Sequence, residues 1–236
     1  MRSAPARVWQ PVGVERGDVV RTYKARRRVT PGQAEALDRL LPAYGLDLRR
    51  PFNAMEVFGR AAPLVLEIGS GMGEATAAMA AADPARDVVA VEVHTPGVAT
   101  LLRRIEAAGL GNVRVVEADA LDVLADLPSC GLDEVRVFFP DPWPKLRHAK
   151  RRLLSPGFAE LVADRLRPGG RLHVATDWAD YADLTRAVVE ASGRFEVAGT
   201  HRDGRPVTRF EARGHAEGRQ SYDLIAVTNG PAIIRG

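Results

Sequence analysis

A single cysteine, Cys130, rules out an intrachain disulfide, and the five histidines fall nowhere at the spacing of a zinc site. No apolar run approaches the roughly 20 residues of a membrane-spanning helix. The Arg-rich N-terminus has no apolar stretch of the kind a secretory signal needs. The expectation is a soluble, cytoplasmic protein with no metal and no membrane contact. No obligatory protein partner is expected, and nothing at this level separates a monomer from a homodimer. What is present is apolar enough, at 46% of 236 residues, to bury a substantial core.

The net charge of +3 hides an uneven distribution. Residues 1–30 carry eight Arg and Lys (Arg2, Arg7, Arg16, Arg21, Lys24, Arg26, Arg27, Arg28) against Glu15 and Asp18. Of the 33 basic and 30 acidic residues, the other 206 positions therefore hold 25 and 28, a balance of −3. This segment is expected to be a disordered basic arm, either merely solvated or seeking phosphates. A single domain is expected over 31–230, with a short tail at 231–236. A helix is expected from Pro31 to about Leu41. Apolar strands then alternate with helices: strands at Leu64–Ile68, Val88–Val93, Val113–Glu117, Glu134–Phe139 and Arg171–Ala175, and helices at Glu74–Ala82, Pro96–Ala108, Leu121–Leu127, Gly157–Leu166 and Tyr181–Ala191. A terminal strand pair, Phe195–Thr200 and Tyr222–Thr228, is expected to be joined by a loop. The pattern predicts an α/β, Rossmann-like fold: a mostly parallel seven-stranded sheet with an antiparallel last strand and helices on both faces.

Ligands of such sheets bind beyond the carboxyl ends of the strands. All five of the first strands end at an acid: Glu67, Glu92, Asp119, Asp141 and Asp177. The turn Glu67-Ile68-Gly69-Ser70-Gly71-Met72-Gly73 has the glycines, Gly69, Gly71 and Gly73, that let a backbone approach a ligand. A dinucleotide site uses a similar turn but wants Gly or Ala where Glu74 stands, and Glu67 would oppose a pyrophosphate. A cofactor with ammonium and sulfonium charges suits that carboxylate, so S-adenosyl-L-methionine is favoured over NAD. Glu92, 19 residues after Gly73, suits the two ribose hydroxyls, and Asp119 an adenine amino group.

The run Phe138-Phe139-Pro140-Asp141-Pro142-Trp143-Pro144-Lys145 is the most informative in the chain. Each proline pushes its predecessor toward extended geometry, which predicts that Asp141 and Trp143 are held extended. A fixed carboxylate, an aromatic ring and a cation, followed by Arg147, His148, Lys150, Arg151 and Arg152, point to nucleic acid. Arg26, Arg27, Arg28, Arg147, Lys150, Arg151 and Arg152 are the candidate phosphate contacts. Trp143 and Phe210 are candidates to stack on a base, with core packing the alternative for each. His173 is expected to be structural; His94 and His148 fall at the expected rim.

With these residues assembled, the chain resembles the bacterial tRNA (guanine-N7-)-methyltransferases over about residues 21–228. The resemblance rests on EIGSGMG (67–73), VEVHTPGV (91–98), FFPDPWPKLRHAKRRL (138–153), ATDW (175–178) and RPVTRFEARGH (205–215). It implies S-adenosyl-L-methionine contacts at Glu67, Glu92, Asp119 and Asp141. It also implies tRNA-substrate contacts at Lys145, Asp177, Thr208, Arg209, Phe210 and Glu211, and methylation of N7 of the variable-loop guanine, position 46. Guanine N7 carries no proton, so Asp141 is expected to act electrostatically or by positioning, not as a base. Asp177 and Glu211 are the candidates to accept from guanine's N1–H and N2–H₂. A small-molecule methyltransferase and a non-catalytic RNA-binding module on the same scaffold remain as alternatives.

Overall fold

The computed structural model describes residues 28–47 and 51–230. The expectations for residues 1–27, including Arg26 and Arg27, and for 231–236 lie outside the described residues. The chain runs α1 (Pro31–Tyr44), α2 (Ala54–Phe58), β1 (Leu64–Ile68), α3 (Glu74–Ala82), β2 (Asp87–Glu92), α4 (Thr95–Ala107), β3 (Val113–Glu117), α5 (Ala120–Asp126) and β4 (Leu132–Phe138). A 3₁₀ turn over Leu146–Arg151 precedes α6 (Pro156–Arg165), β5 (Leu166–Thr176), α7 (Ala179–Ala191), β6 (Phe195–Gly199), α8 (Arg209–Ala216) and β7 (Tyr222–Thr228).

One sheet holds all seven strands in the order β3-β2-β1-β4-β5-β7-β6. β1 pairs in parallel with both β2 and β4, so the strand order reverses at β1. β7 is antiparallel to β5 and β6. This is the expected mostly parallel sheet with one antiparallel strand. The uniformly apolar strands are explained by cover on two sides. Leu66, Ile68, Val135, Val137, Leu172 and Val174 face a core shared with α5, α6 and α7. Val65, Val88, Ala90, Val113 and Val115 face a second core closed by α1 and α4. Burying each such side chain contributes about 1.5–3 kcal/mol.

Three expectations are corrected. The stretch between β6 and β7 is not all loop: it contains α8. Thr208 caps that helix by accepting from Glu211 N–H at 3.3 Å. β5 also begins at Leu166, before the Gly169-Gly170 turn, because Leu166 already pairs with Leu132 ahead of a register shift. The first helix runs to Tyr44 rather than Leu41, started by Thr30 and Gln33, which cap each other reciprocally.

Candidate active site

The parallel strands bring the acids to one edge of the sheet. In spatial order they are Asp119, Glu92, Glu67, Asp141 and Asp177, with the reversal of strand order between Glu67 and Asp141. The glycine turn after β1 is a cradle. Gly69, Gly71 and Gly73 have φ of +73°, +56° and +72°, and nothing lies within 4 Å of where a side chain on Gly69 or Gly71 would project. Gly73 is pressed against α4 instead; a Cβ there would stand 2.4 Å from Leu101.

Glu67 is buried, and one oxygen accepts from the Thr76 hydroxyl at 2.7 Å. The other, Oε2, is buried without a hydrogen-bond partner. Burial pushes its pKa up, against the pull of the neighbouring Arg136 and the Thr76 hydrogen bond. Such a carboxylate fits a cationic group on a bound cofactor. Glu92, nearly buried, accepts from the backbone N–H groups of Gly71, Val93 and His94 at 2.7, 2.8 and 2.9 Å. A carboxylate has about four lone-pair directions. Glu92 thus keeps acceptor capacity for a hydroxyl donor. Asp119 caps α5 by accepting from Leu121 N–H at 2.9 Å and stays half-buried. The cradle, the unmatched oxygen of Glu67 and the remaining capacity of Glu92 fit S-adenosyl-L-methionine.

Beyond β4 the chain turns sharply. Phe139 has φ of +52°, its N–H bonded to Ala175 O at 2.7 Å, and Asp141 follows exposed. Trp143 does not take the extended conformation expected before a proline; its φ is +42°. The surroundings override the local preference. Arg151 lies over the indole at 4.9 Å, His148 meets its edge at 5.4 Å, and Arg152 donates to the carbonyls of Pro142 and Trp143 at 2.9 and 3.3 Å. Arg152 is therefore a staple for this turn rather than an open phosphate contact. Arg151 is occupied by the indole, while Lys145, Arg147 and Lys150 are exposed, as is Arg28 near α1. Burial and the charges of Arg151, Arg147 and Lys145 hold the His148 pKa below its usual value.

The substrate residues divide sharply. Phe210 is 51% exposed, with its ring 5.2 Å from that of Phe139. Arg209 is exposed, and its backbone N–H is bonded to Glu74 at the head of α3, at 2.9 Å. Asp177 is largely buried against α8 and pairs with Arg219 at 3.1 Å. Glu211 is not available to a base edge: its side chain has no exposed surface and both oxygens are held by Arg202 and Arg205. These pairings hold its pKa at about 2 despite burial. His173 is buried in β5, bonded to Asp223 at 2.9 Å, as a structural role requires. Sequence reasoning assigned no role to Arg205, although it opens the motif at 205–215, and did not single out Arg202 or Asp223. An arginine three residues before a capping threonine carries no signal of burial.

This strand order, a glycine cradle at the reversal point and carboxylates along one rim define the fold and site of a class I methyltransferase. A family model described as a putative methyltransferase matches residues 61–224. The solved 16S rRNA methyltransferase KamB superposes with a TM-score of 0.57 at 21% identity, over 76% of this chain and 95% of that one, a likeness of fold alone. The chain is 50% identical over 215 residues to the tRNA (guanine-N(7)-)-methyltransferase of Halorhodospira halophila, covering 87% of this chain and 93% of the relative. The enzyme of the same name from Streptomyces avermitilis is also 50% identical, over 87% of this chain and 74% of its own length. The chain belongs to the tRNA (guanine-N(7)-)-methyltransferase family. Among the described residues no helix is long and apolar enough to cross a membrane, and no three His, Cys, Asp or Glu side chains cluster as metal ligands would.

Proposed function

We propose that the protein transfers a methyl group from S-adenosyl-L-methionine to N7 of a tRNA guanine, that of the variable loop at position 46, giving 7-methylguanosine. The observation that carries this reading is the placement of Asp141 beside the glycine cradle and Glu67, at the reversal of strand order, with the exposed ring of Phe210 one contact away through Phe139. Membership of the family supports it. The cofactor, when bound, supplies an electrophilic methyl group on a sulfonium.

The chain's own residues do the rest by placement. Glu67 offers its unmatched oxygen to the cofactor's cationic end, Glu92 and Asp119 accept hydrogen bonds, and Gly69, Gly71 and Gly73 admit close approach. Phe210 stacks on the target base, a contact worth roughly 1–3 kcal/mol. Asp177 accepts from the guanine edge, exchanging or sharing its bond to Arg219. N7 has a lone pair and no proton, so Asp141 need not remove one. Positive charge develops on the purine, and a nearby carboxylate stabilises it more than the neutral base. Holding N7 in line with the reacting bond is the larger effect, worth roughly 7–11 kcal/mol in favourable cases. Lys145, Arg147, Lys150 and the basic arm, including Arg26, Arg27 and Arg28, engage RNA phosphates. The protein acts in the cytoplasm, as monomer or homodimer, without an obligatory protein partner.

Incubation with labelled S-adenosyl-L-methionine and unmodified tRNA, followed by nucleoside mass spectrometry, tests the reading. The expected product is 7-methylguanosine at one position. Methylation at another atom, or only of small molecules, would overturn it, and S-adenosyl-L-methionine binding with no transfer to tRNA would favour a non-catalytic RNA-binding module.

A further inference from the structure

Arg205 has the largest fully buried side chain in the described protein, and the mechanism above does not use it. Its guanidinium forks onto two carboxylates from different elements. Nε and Nη2 donate to Asp223 of β7 at 2.9 and 2.8 Å, and Nη1 and Nη2 donate to Glu211 of α8 at 2.8 and 3.2 Å. Its carbon centre lies over two rings at the exit of β4, 5.0 Å from Phe139 and 5.5 Å from Phe138. Phe139 is the residue with φ of +52°, it touches Phe210, and Asp141 is two residues further on. One side chain thus contacts the strand end that presents Asp141, the helix that presents Phe210, and β7 at Asp223.

Burying three charges is a weak way to gain stability, since well-packed apolar side chains of similar volume often do as well. What such a cluster does provide is a fixed arrangement, because a planar fork satisfies two carboxylates in only one relative orientation. A left-handed phenylalanine also persists only where its surroundings over-determine it.

We propose that Arg205 is a positioning residue, which locks the turn carrying Asp141 to the helix carrying Phe210 so that carboxylate and stacking ring keep a fixed separation. This rests on the methyltransferase reading for its effect on rate, though not for the locking itself. Arg202, the half-exposed second partner of Glu211, otherwise donates to the carbonyls of Arg205 and Pro206 and does not share the role.

Arg205→Lys in the full chain is the test. A lysine keeps the charge but not the two forks or the flat face. Cofactor affinity by calorimetry should fall by no more than about threefold, because Asp141 is the one expected cofactor contact on the locked turn, while Glu67, Glu92, Asp119 and the glycine cradle lie at or beyond the ends of other strands. Single-turnover methylation at saturating tRNA and cofactor should fall by at least about tenfold, as small displacements of reacting groups do. Hydrogen exchange, which needs no substrate, should quicken together in residues 138–145 and 206–216 and stay unchanged in α5 and α6. Arg202→Gln should keep the rate within about threefold, its neighbour's forks remaining intact. Should Arg205→Lys fail to fold, Phe138→Leu removes one ring under the guanidinium, leaves the ion pairs, and should show the same pattern. An unchanged rate, or rate and cofactor affinity falling in parallel, overturns the proposal. So does quickened exchange in only one of the two segments. A wild-type protein that makes no 7-methylguanosine would instead overturn the methylation reading, and the exchange experiment would still decide the locking.

Discussion

Glu67 shows how one residue can tie cofactor binding to pH. Its carboxyl is buried, so its pKa in the ligand-free fold lies above the ordinary 4.5. A raised carboxyl pKa stabilises the fold below the unfolded value, and that contribution is lost as pH rises through the folded value. Ionising Glu67 is therefore a cost to the ligand-free protein, which a cationic ligand relieves. Thermal stabilisation by S-adenosyl-L-methionine should be larger near pH 7.5 than near pH 5, and Glu67→Gln should flatten that difference and weaken binding by about tenfold (~1.4 kcal/mol) in calorimetry. Equal stabilisation at both pH values would contradict this account.

Glu211 behaves in the opposite sense. Its folded pKa is about 2 against an ordinary 4.5, so its stabilisation is present above pH 4.5 and is lost as pH falls toward 2. That difference is on the order of 3 kcal/mol. Urea titrations across this window should show stability falling with acid in the wild type and a shallower slope in Glu211→Gln. Because Glu211 is sealed from the base edge, the same variant should keep its preference for guanosine over inosine, whereas Asp177→Asn should lose it. Kinetic competition between the two substrates separates these outcomes.

At the scale of elements, the packing of the cradle on α4 is the tightest constraint. Gly73→Ala places a methyl group 2.4 Å from Leu101 in a left-handed conformation. The cost should be about 2–4 kcal/mol, seen as a melting temperature lowered by several degrees. α8 illustrates the contrary case, a helix organised by charge. Its buried positions are Glu211 and Gly214, so it has no apolar stripe, and only the Thr208-x-x-Glu211 cap marks its start. That is why apolar period alone reads the segment as loop. The 3₁₀ turn over Leu146–Arg151 went unread for the same reason. The other expected strands and helices, the start of β5 and the end of α1 apart, were legible to within a residue or two, because a buried parallel sheet demands near-continuous apolar runs.

Across the whole molecule, the positive charge gathers in the first 30 residues and around the turn after β4, while the remainder is slightly acidic. Binding of tRNA should then weaken steeply with salt, each phosphate contact adding roughly 0.7–0.9 to the log–log slope. Removal of residues 1–28 should raise KM for tRNA and reduce that slope, leaving the dissociation constant for S-adenosyl-L-methionine unchanged in calorimetry. Parallel losses of both affinities would show that the arm serves the fold instead.

The linear chain determined the strand–helix alternation, the glycine turn and the acids at or just after the ends of the first five strands, since those depend on neighbours one to four residues away. From them the sheet, its ligand edge and the family resemblance all followed. Folding in three dimensions decided what each charge is for. Glu211 became an internal anchor, Arg152 a staple for the Asp141 turn, and Arg205 a buried clamp, because partners 6 to 18 positions away in sequence reach hydrogen-bonding distance only once β4, β7 and α8 have come together. A charged side chain is defined by the charge it meets, and sequence alone does not show that meeting.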